Sequence, residues 1–221
     1  MFTDSNLESV LVSAGLSLSV LEKDPAIIYI LGPDLRIVYC NCAWEKFADE
    51  NHGEGLSRLE VLGTAFLSSI AEPLRDFYVN AFAETHRTGR WEHDFECSSP
   101  DIFRLFHMRV LRLPALHLLV ENSLRIEQPH QRESTAQSEL TSYVNKYGIL
   151  TMCCHCRRTR RIGSGEIELW DWVPKFLIEP PGRVSHGLCP TCVAYFYSNV
   201  KTVGRANVQP AEQNSINGGA N

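Results

Sequence analysis

The feature that most limits how this chain can fold is a pair of cysteine couplets towards its C-terminal end. The first reads Cys153-Cys154-His155-Cys156 and the second Cys189-Pro190-Thr191-Cys192. Residues 157 to 188, 32 in all, lie between them. Two residues between cysteines let both sulfurs of a tight turn face one centre. Two such turns brought together make a tetrahedral thiolate set, the geometry zinc adopts in structural sites. One couplet is a weak signal and two are a strong one, although this insert is longer than the commonest zinc spacing. The expected metal ligands are Cys153, Cys156, Cys189 and Cys192. Zinc is the first choice of ion, and iron accepts the same four thiolates. Cys154 reads as a bystander, because three cysteines in four residues do not easily reach one tetrahedral ion. His155 and His186 are substitutes for an unused thiol, His186 more as a supporting residue than as a ligand.

The 221 residues suffice for one large domain or two small ones. An apolar content of 44% suits a chain that buries a core. The formal charge of −5 argues against a general nucleic-acid coat, but it is unevenly spread. Residues 1–147 carry 21 acidic and 13 basic side chains, whereas 148–197 carry four and six. The cysteine segment is the basic end of an acidic protein. Arg157, Arg158, Arg160 and Arg161 follow the first couplet and are expected to offset the negative charge of a thiolate–metal centre. Trp170, Trp172, Val173, Phe176 and Leu177 give the segment a small apolar cluster, and so small a unit needs a staple. No apolar run approaches the roughly 20 residues that span a bilayer, and the acidic start does not resemble a secretory signal. Eight cysteines without that signal point to the cytoplasm and to a metal or redox site.

Upstream, the apolar period of Leu7, Val10, Leu11, Ala14 and Leu18 predicts one helix over Asp4 to Lys23, packed on its own domain or paired with a second copy. Ala26 to Leu31 and Leu35 to Cys40 read as strands around a turn at Gly32-Pro33-Asp34. A short helix follows Asn41, then a polar loop and the apolar segment Val61 to Ser69. Glu72 to Thr88 reads as a long helix ended by Gly89. Three strands follow, at Trp91 to Cys97, Phe103 to Leu113 and His117 to Glu121. The fold class is therefore α+β, a five-stranded antiparallel sheet with flanking helices. Leu140, Tyr143, Val144 and Tyr147 suggest a linker helix, and the apolar-poor residues after Tyr197 suggest a disordered tail. The division is 1–23 N-terminal helix, 24–123 sheet domain, 124–148 linker helix, 149–197 cysteine module and 198–221 tail.

Two segments resemble known families. Pro25 to Asn122 resembles a PAS domain, through Asp24-Pro25-Ala26, the run Gly32 to Tyr39, Asn41 before the first helix, and the late three-strand set. This resemblance implies a sensor of an unknown small ligand or a platform for dimerisation. Flavin photochemistry would need a reactive cysteine in an Asn-Cys-Arg context. Asn41-Cys42-Ala43 sits too early in the domain and lacks the arginine, so Cys40 and Cys42 read as ordinary strand-end residues. His86, near the end of the long helix, is the one haem-ligand candidate and reads more simply as a surface or capping residue. The second segment resembles a cysteine module found at the C-terminus of many bacterial PAS, GAF and receiver-domain proteins. Its form is Cys-x2-Cys with basic residues, a tryptophan-containing middle, and Ser-His-Gly-x-Cys-Pro-x-Cys, here Ser185 to Cys192. Cys154-His155 and Pro180-Pro181-Gly182 depart from that form.

No catalytic constellation or phosphate-cradling glycine loop is present, so the expectation is a non-enzymatic sensory or regulatory protein. It would form a homodimer through the N-terminal or linker helix and contact a protein partner of a signalling pathway, with no membrane role. Two alternatives stand beside it. The couplets are a thiol–disulfide switch, or the arginines and tryptophans bind DNA.

Overall fold

The structure, a computed structural model, describes residues 6–51, 53–133, 140–163 and 168–197. The expected disordered tail lies outside the described residues.

The first sheet is built from β1 (Ile27–Leu31), β2 (Ile37–Cys40), β3 (Arg90–Glu96), β4 (Ile102–Arg112) and β5 (Leu118–Pro129). Its order is β2-β1-β5-β4-β3 and every pairing is antiparallel. β1 is apolar at every position because both of its faces are covered. Tyr29 and Leu31 enter one core cluster, and Ile28 and Ile30 enter another on the opposite face. The first cluster lies under α5 (Glu72–Thr88), with α3 (Cys42–Glu50) and the single turn α4 (Arg58–Val61) beside it. Aromatic rings fill this space: Phe66 stacks on Tyr29 at 5.7 Å between centroids and meets Tyr78 at 5.8 Å and Phe82 at 5.5 Å. Gly89 ends α5 in a left-handed conformation, φ +93°, that a side chain would strain.

Asn41 closes the start of this unit. Its buried amide accepts from Ile28 N–H at 3.0 Å and from Trp44 N–H at 3.2 Å, which caps α3. It donates to the carbonyls of Leu21, Asp24 and Ala26. One side chain thus ties the N-terminal segment, β1 and α3 together.

The single N-terminal helix is two, α1 (Leu7–Ser13) and α2 (Leu18–Lys23). Gly15, at φ +70°, breaks it: Leu16 N–H returns to Leu11 O at 2.9 Å and Gly15 N–H to Val12 O at 3.0 Å, the paired bonds of a Schellman stop. Leu7, Val10, Leu11 and Leu21 pack on the outer face of β1 and β2. Of the two uses expected for this apolar stripe, the structure shows packing on its own domain.

The linker helix is also replaced. β5 runs on to Pro129, with Leu105 opposite Ile126 and Phe103 opposite Gln128. The eleven-residue β4 needs a partner along its whole length, and residues 124–129 supply it. Residues 134–139 of the expected helix lie outside the described residues. Leu140–Ser142 is a single 3-10 turn, and Tyr143, 1% exposed, belongs to the core of the next unit.

That unit is a small mixed sheet, β8-β7-β6-β9, made of β6 (Ile149–Cys153), β7 (Thr159–Arg160), β8 (Trp170–Asp171) and β9 (Arg183–Gly187), with the turn α6 (Lys175–Ile178) and the final helix α7 (Pro190–Tyr197). β9 runs parallel to β6. Gly182 enters β9 where a Cβ would sit 2.6 Å from Gly148 O, so no larger residue fits. Tyr143, Leu150, Met152, Val173 and Phe176 form its core.

Candidate metal centre

The hairpin from β6 to β7 carries the first couplet at its tip. Arg157 N–H bonds Cys153 O at 3.1 Å and Cys153 N–H bonds Arg158 O at 2.8 Å, which bends the four residues into a knuckle. Arg157 takes φ +62° to complete the turn. β9 delivers the second couplet beside the first. Cys189 lies just after the strand, and Cys192 lies in the first turn of α7, where Val193 N–H bonds Cys189 O at 2.9 Å. Cys154 N–H donates to Gly187 O at 2.9 Å and joins the two knuckles.

The sulfurs of Cys153, Cys156, Cys189 and Cys192 all lie within 4.8 Å of one another, and all four residues are buried. Cys156 and Cys189 Sγ are 3.7 Å apart. Zinc–thiolate bonds of about 2.3 Å in a tetrahedron put sulfurs about 3.8 Å apart, so the set fits a zinc-sized ion. The four expected ligands are the four residues the fold brings together. All eight cysteines are free thiols. Crowding makes the four unequal: hydrogen bonds from Cys156, then from Cys189 and Cys192, hold the Cys153 thiol far below its ordinary value. The same network, with Cys153 the largest contributor, pushes Cys192 far above it. Backbone Cys189 N–H also points at Cys153 Sγ, 3.5 Å away.

His155 is not one of the close-packed ligands. Its Nε2 accepts the Glu96 backbone N–H at 2.9 Å, so in the neutral ring the proton sits on Nδ1, 3.3 Å from Cys192 Sγ. Burial, the largest influence, pushes the His155 pKa below its ordinary value. The imidazole therefore joins strand β3 to the Cys192 sulfur of the cluster. Cys154 is not one of the four clustered sulfurs. Burial, then the negative charge of Cys153, raises its thiol to about 11. His186 is exposed on β9 and touches none of the four sulfurs.

Two of the four arginines do not serve the thiolates. Arg160 pairs with Glu168 at 2.9 Å and Arg161 with Asp171 at 2.8 Å. Trp172 is 4% exposed and covered by Arg132, whose guanidinium carbon lies 4.9 Å from the ring centroid. Trp172 is thus covered, whereas Trp170 is half-buried on β8.

Sequence reasoning missed Glu96 and Arg132. Arg132 donates to Cys156 O at 2.9 Å and to the Glu96 carboxylate at 2.6 Å, with side chains 18% and 6% exposed. Glu96 thus reaches one knuckle through its backbone and His155, and the other through its carboxylate and Arg132. Its place on the polar face of an alternating strand gives no hint of this burial. The aromatics of α7 were legible in principle, as three consecutive rings after the second couplet. Phe196 meets Phe77 at 4.8 Å, His93 at 5.1 Å and His155 at 4.7 Å. Tyr195 O–H donates to Asp94 O at 2.8 Å, and Tyr197 O–H donates to Pro73 O. The helix that holds Cys192 is docked on β3 and α5 of the first sheet unit. His86 lies in the last turn of α5, away from this centre.

No protein-family model matches the sequence, and no curated protein matches it. Solved structures similar to this chain include PAS domains. They include the photoactive yellow protein domain of the sensor histidine kinase Ppr from Rhodospirillum centenum, 13% identical, covering 50% of this chain and 94% of that one with a TM-score of 0.35. The PAS domain of nitrogen regulation protein NR(II) from Vibrio parahaemolyticus is 19% identical over 49% of this chain and 99% of its own, TM-score 0.33. That of an HTR-like protein from Haloarcula marismortui is 17% identical over 54% and 95%, TM-score 0.33. The first sheet unit has the α+β fold expected from the sequence, a five-stranded antiparallel sheet with flanking helices. Among the described residues no helix is long and apolar enough to cross a membrane.

Proposed function

We propose that this chain is a cytoplasmic sensory or regulatory protein with no enzymatic output of its own. Its PAS-like unit is the input, and a zinc-holding module of four cysteines is the surface for a protein partner. The observation that supports coupling between them is the double attachment of Glu96, through His155 to Cys192 and through Arg132 to Cys156. A ligand or partner that favours one position of β3 acts on both knuckles, and by linkage the state of the knuckles acts on β3. Any homodimer uses a surface other than the apolar stripe of α1, which is buried at home.

The deciding measurement is metal content per chain, with Cys189→Ser beside it, followed by hydrogen exchange with and without chelator. The expectation is about one zinc per chain, lost in the variant. Exchange should rise on zinc removal in β3 and the first turns of α5 as well as in the knuckles. Iron with visible absorption redirects the reading to electron transfer or iron sensing. Exchange that rises in the knuckles alone removes the coupling. The close free thiols also support a second reading, a thiol switch. Mild peroxide would then release the metal and change the far-UV circular dichroism reversibly, and an unchanged spectrum sinks it.

A further inference from the structure

Between the PAS-like unit and the cysteine module lies a cleft of about 600 Å³. One wall is the start of α5, with Ser69, Glu72 and Arg75. The other is the first knuckle and β9, with Arg157, Ser185 and His186. Its floor is apolar and aromatic, formed by Tyr78, Phe95 and Phe196, with the thiols of Cys97 and Cys154 at the seam.

Among the described residues neither arginine of this cleft has a carboxylate partner. Arg157 is half-buried, and among the described residues its guanidinium meets neither a carboxylate nor a hydrogen-bond acceptor. That separates it from Arg160, Arg161 and Arg132, which have carboxylates at 2.9, 2.8 and 2.6 Å. A partly dehydrated guanidinium without an acceptor is costly to hold. Arg75 donates Nε to Ile70 O at 3.0 Å and has no carboxylate partner among the described residues. The 17-residue α5 begins at the same wall, and its N-cap, Ala71, has no side chain that caps the first turn. The helix start adds positive potential to the cleft that both arginines line. Two carboxylates are also present. Glu96 is turned to Arg132, and Glu72 is exposed at the first position of α5.

We propose that this cleft binds a small oxyanion-bearing molecule, whose phosphate or carboxylate group is held between Arg157 and Arg75 at the start of α5 and whose apolar body lies on Tyr78, Phe95 and Phe196. The ligand bridges the two units. The site is formed whichever ion the four cysteines hold and whether or not the module meets a partner.

The test uses the full chain as purified, in chloride at constant ionic strength, titrated with inorganic phosphate in one arm and succinate in the other. Backbone amide resonances and the alkylation rate of Cys97 are the readouts. Saturable shifts at Ser69, Glu72, Arg157 and Ser185, with slower alkylation of Cys97, are expected in at least one arm, and the arm that saturates first names the oxyanion. Arg157→Gly keeps the left-handed turn and should weaken binding about tenfold or more, the loss of one charged hydrogen-bonding partner. Arg75→Ala, on α5 and outside the knuckles, should do the same without altering metal content. The proposal is overturned if neither anion gives saturable shifts, if the shifts lie elsewhere, or if both variants bind as the parent does.

Discussion

Replacing His155 tests whether the PAS-like sheet and the metal centre are joined through that ring. His155→Phe removes both nitrogens but keeps a ring against Phe196, now 4.7 Å from the imidazole centroid. Two losses follow. Cys192 loses its Nδ1–H donor, and the Glu96 amide loses its acceptor. A lost partner of this kind in the shell around a metal lowers affinity by about 10- to 100-fold, or about 1.4–2.7 kcal/mol. The orphaned amide costs the metal-free fold about 1–3 kcal/mol. His155→Ala adds the loss of ring packing and should destabilise the metal-free protein further, with a zinc affinity close to that of His155→Phe. Zinc affinity is read by competition with a chromogenic chelator, and stability by urea unfolding in the presence of chelator. If His155→Phe holds zinc within about twofold of the parent, the hydrogen bond to Cys192 contributes nothing and the reasoning fails.

Three further predictions concern the supports of this arrangement. Glu96→Ala leaves Arg132 without its carboxylate at a mostly buried site and should cost about 2–4 kcal/mol, less in an Arg132→Met background; equal losses in both backgrounds would show that the pair is not coupled. Asn41→Ala removes a side chain that makes five hydrogen-bond contacts and should cost about 3–4 kcal/mol in urea unfolding, a loss under about 1 kcal/mol being the contrary result. Partial burial works to raise the Glu22 carboxyl, but hydrogen bonds from Arg58, Tyr39 and Cys42 outweigh it and hold it at about 2, against an ordinary 4.5. A depressed carboxylate stabilises the fold above its unfolded value, so this contribution should be full above pH 4.5 and disappear as pH falls to 2. At a site open to solvent it is worth about 1–2 kcal/mol, and Glu22→Gln should flatten the acid limb of a stability–pH curve by that amount.

The four clustered cysteines were legible because a knuckle is a local device. Cys-x2-Cys fixes two sulfurs within one turn, and only the meeting of the two turns depends on the rest of the fold. The sheet was legible for a related reason. Gly32-Pro33-Asp34, Gly89 and Pro114 mark turns, and between them the apolar residues follow a strand or helix period. Asn41 could be picked out as the entry to α3, but its links to Leu21, Asp24 and Ala26 join segments that no local pattern relates.

The linker was misread because the end of this strand, residues 124–129, is exposed throughout and has few apolar residues to show its period. Leu124 and Ile126 alternate with Arg125 and Glu127, yet the segment is mostly polar, so the apolar step at Leu140, Tyr143, Val144 and Tyr147 dominated the reading. That step has another cause. Tyr143 fills the module core and donates to Asp171 at 2.6 Å, and Val144 bridges to Leu150. The consequence reaches the function. A linker helix would carry a signal along the chain from one unit to the next. Here the described contacts run across the chain instead, from β3 to the knuckles through Glu96, His155 and Arg132, and from α7 back to α5 and β3 through Phe196 and two tyrosine hydroxyls. Cys192 lies in the first turn of the same helix that carries Phe196, so the metal centre and this docking surface share one rigid element.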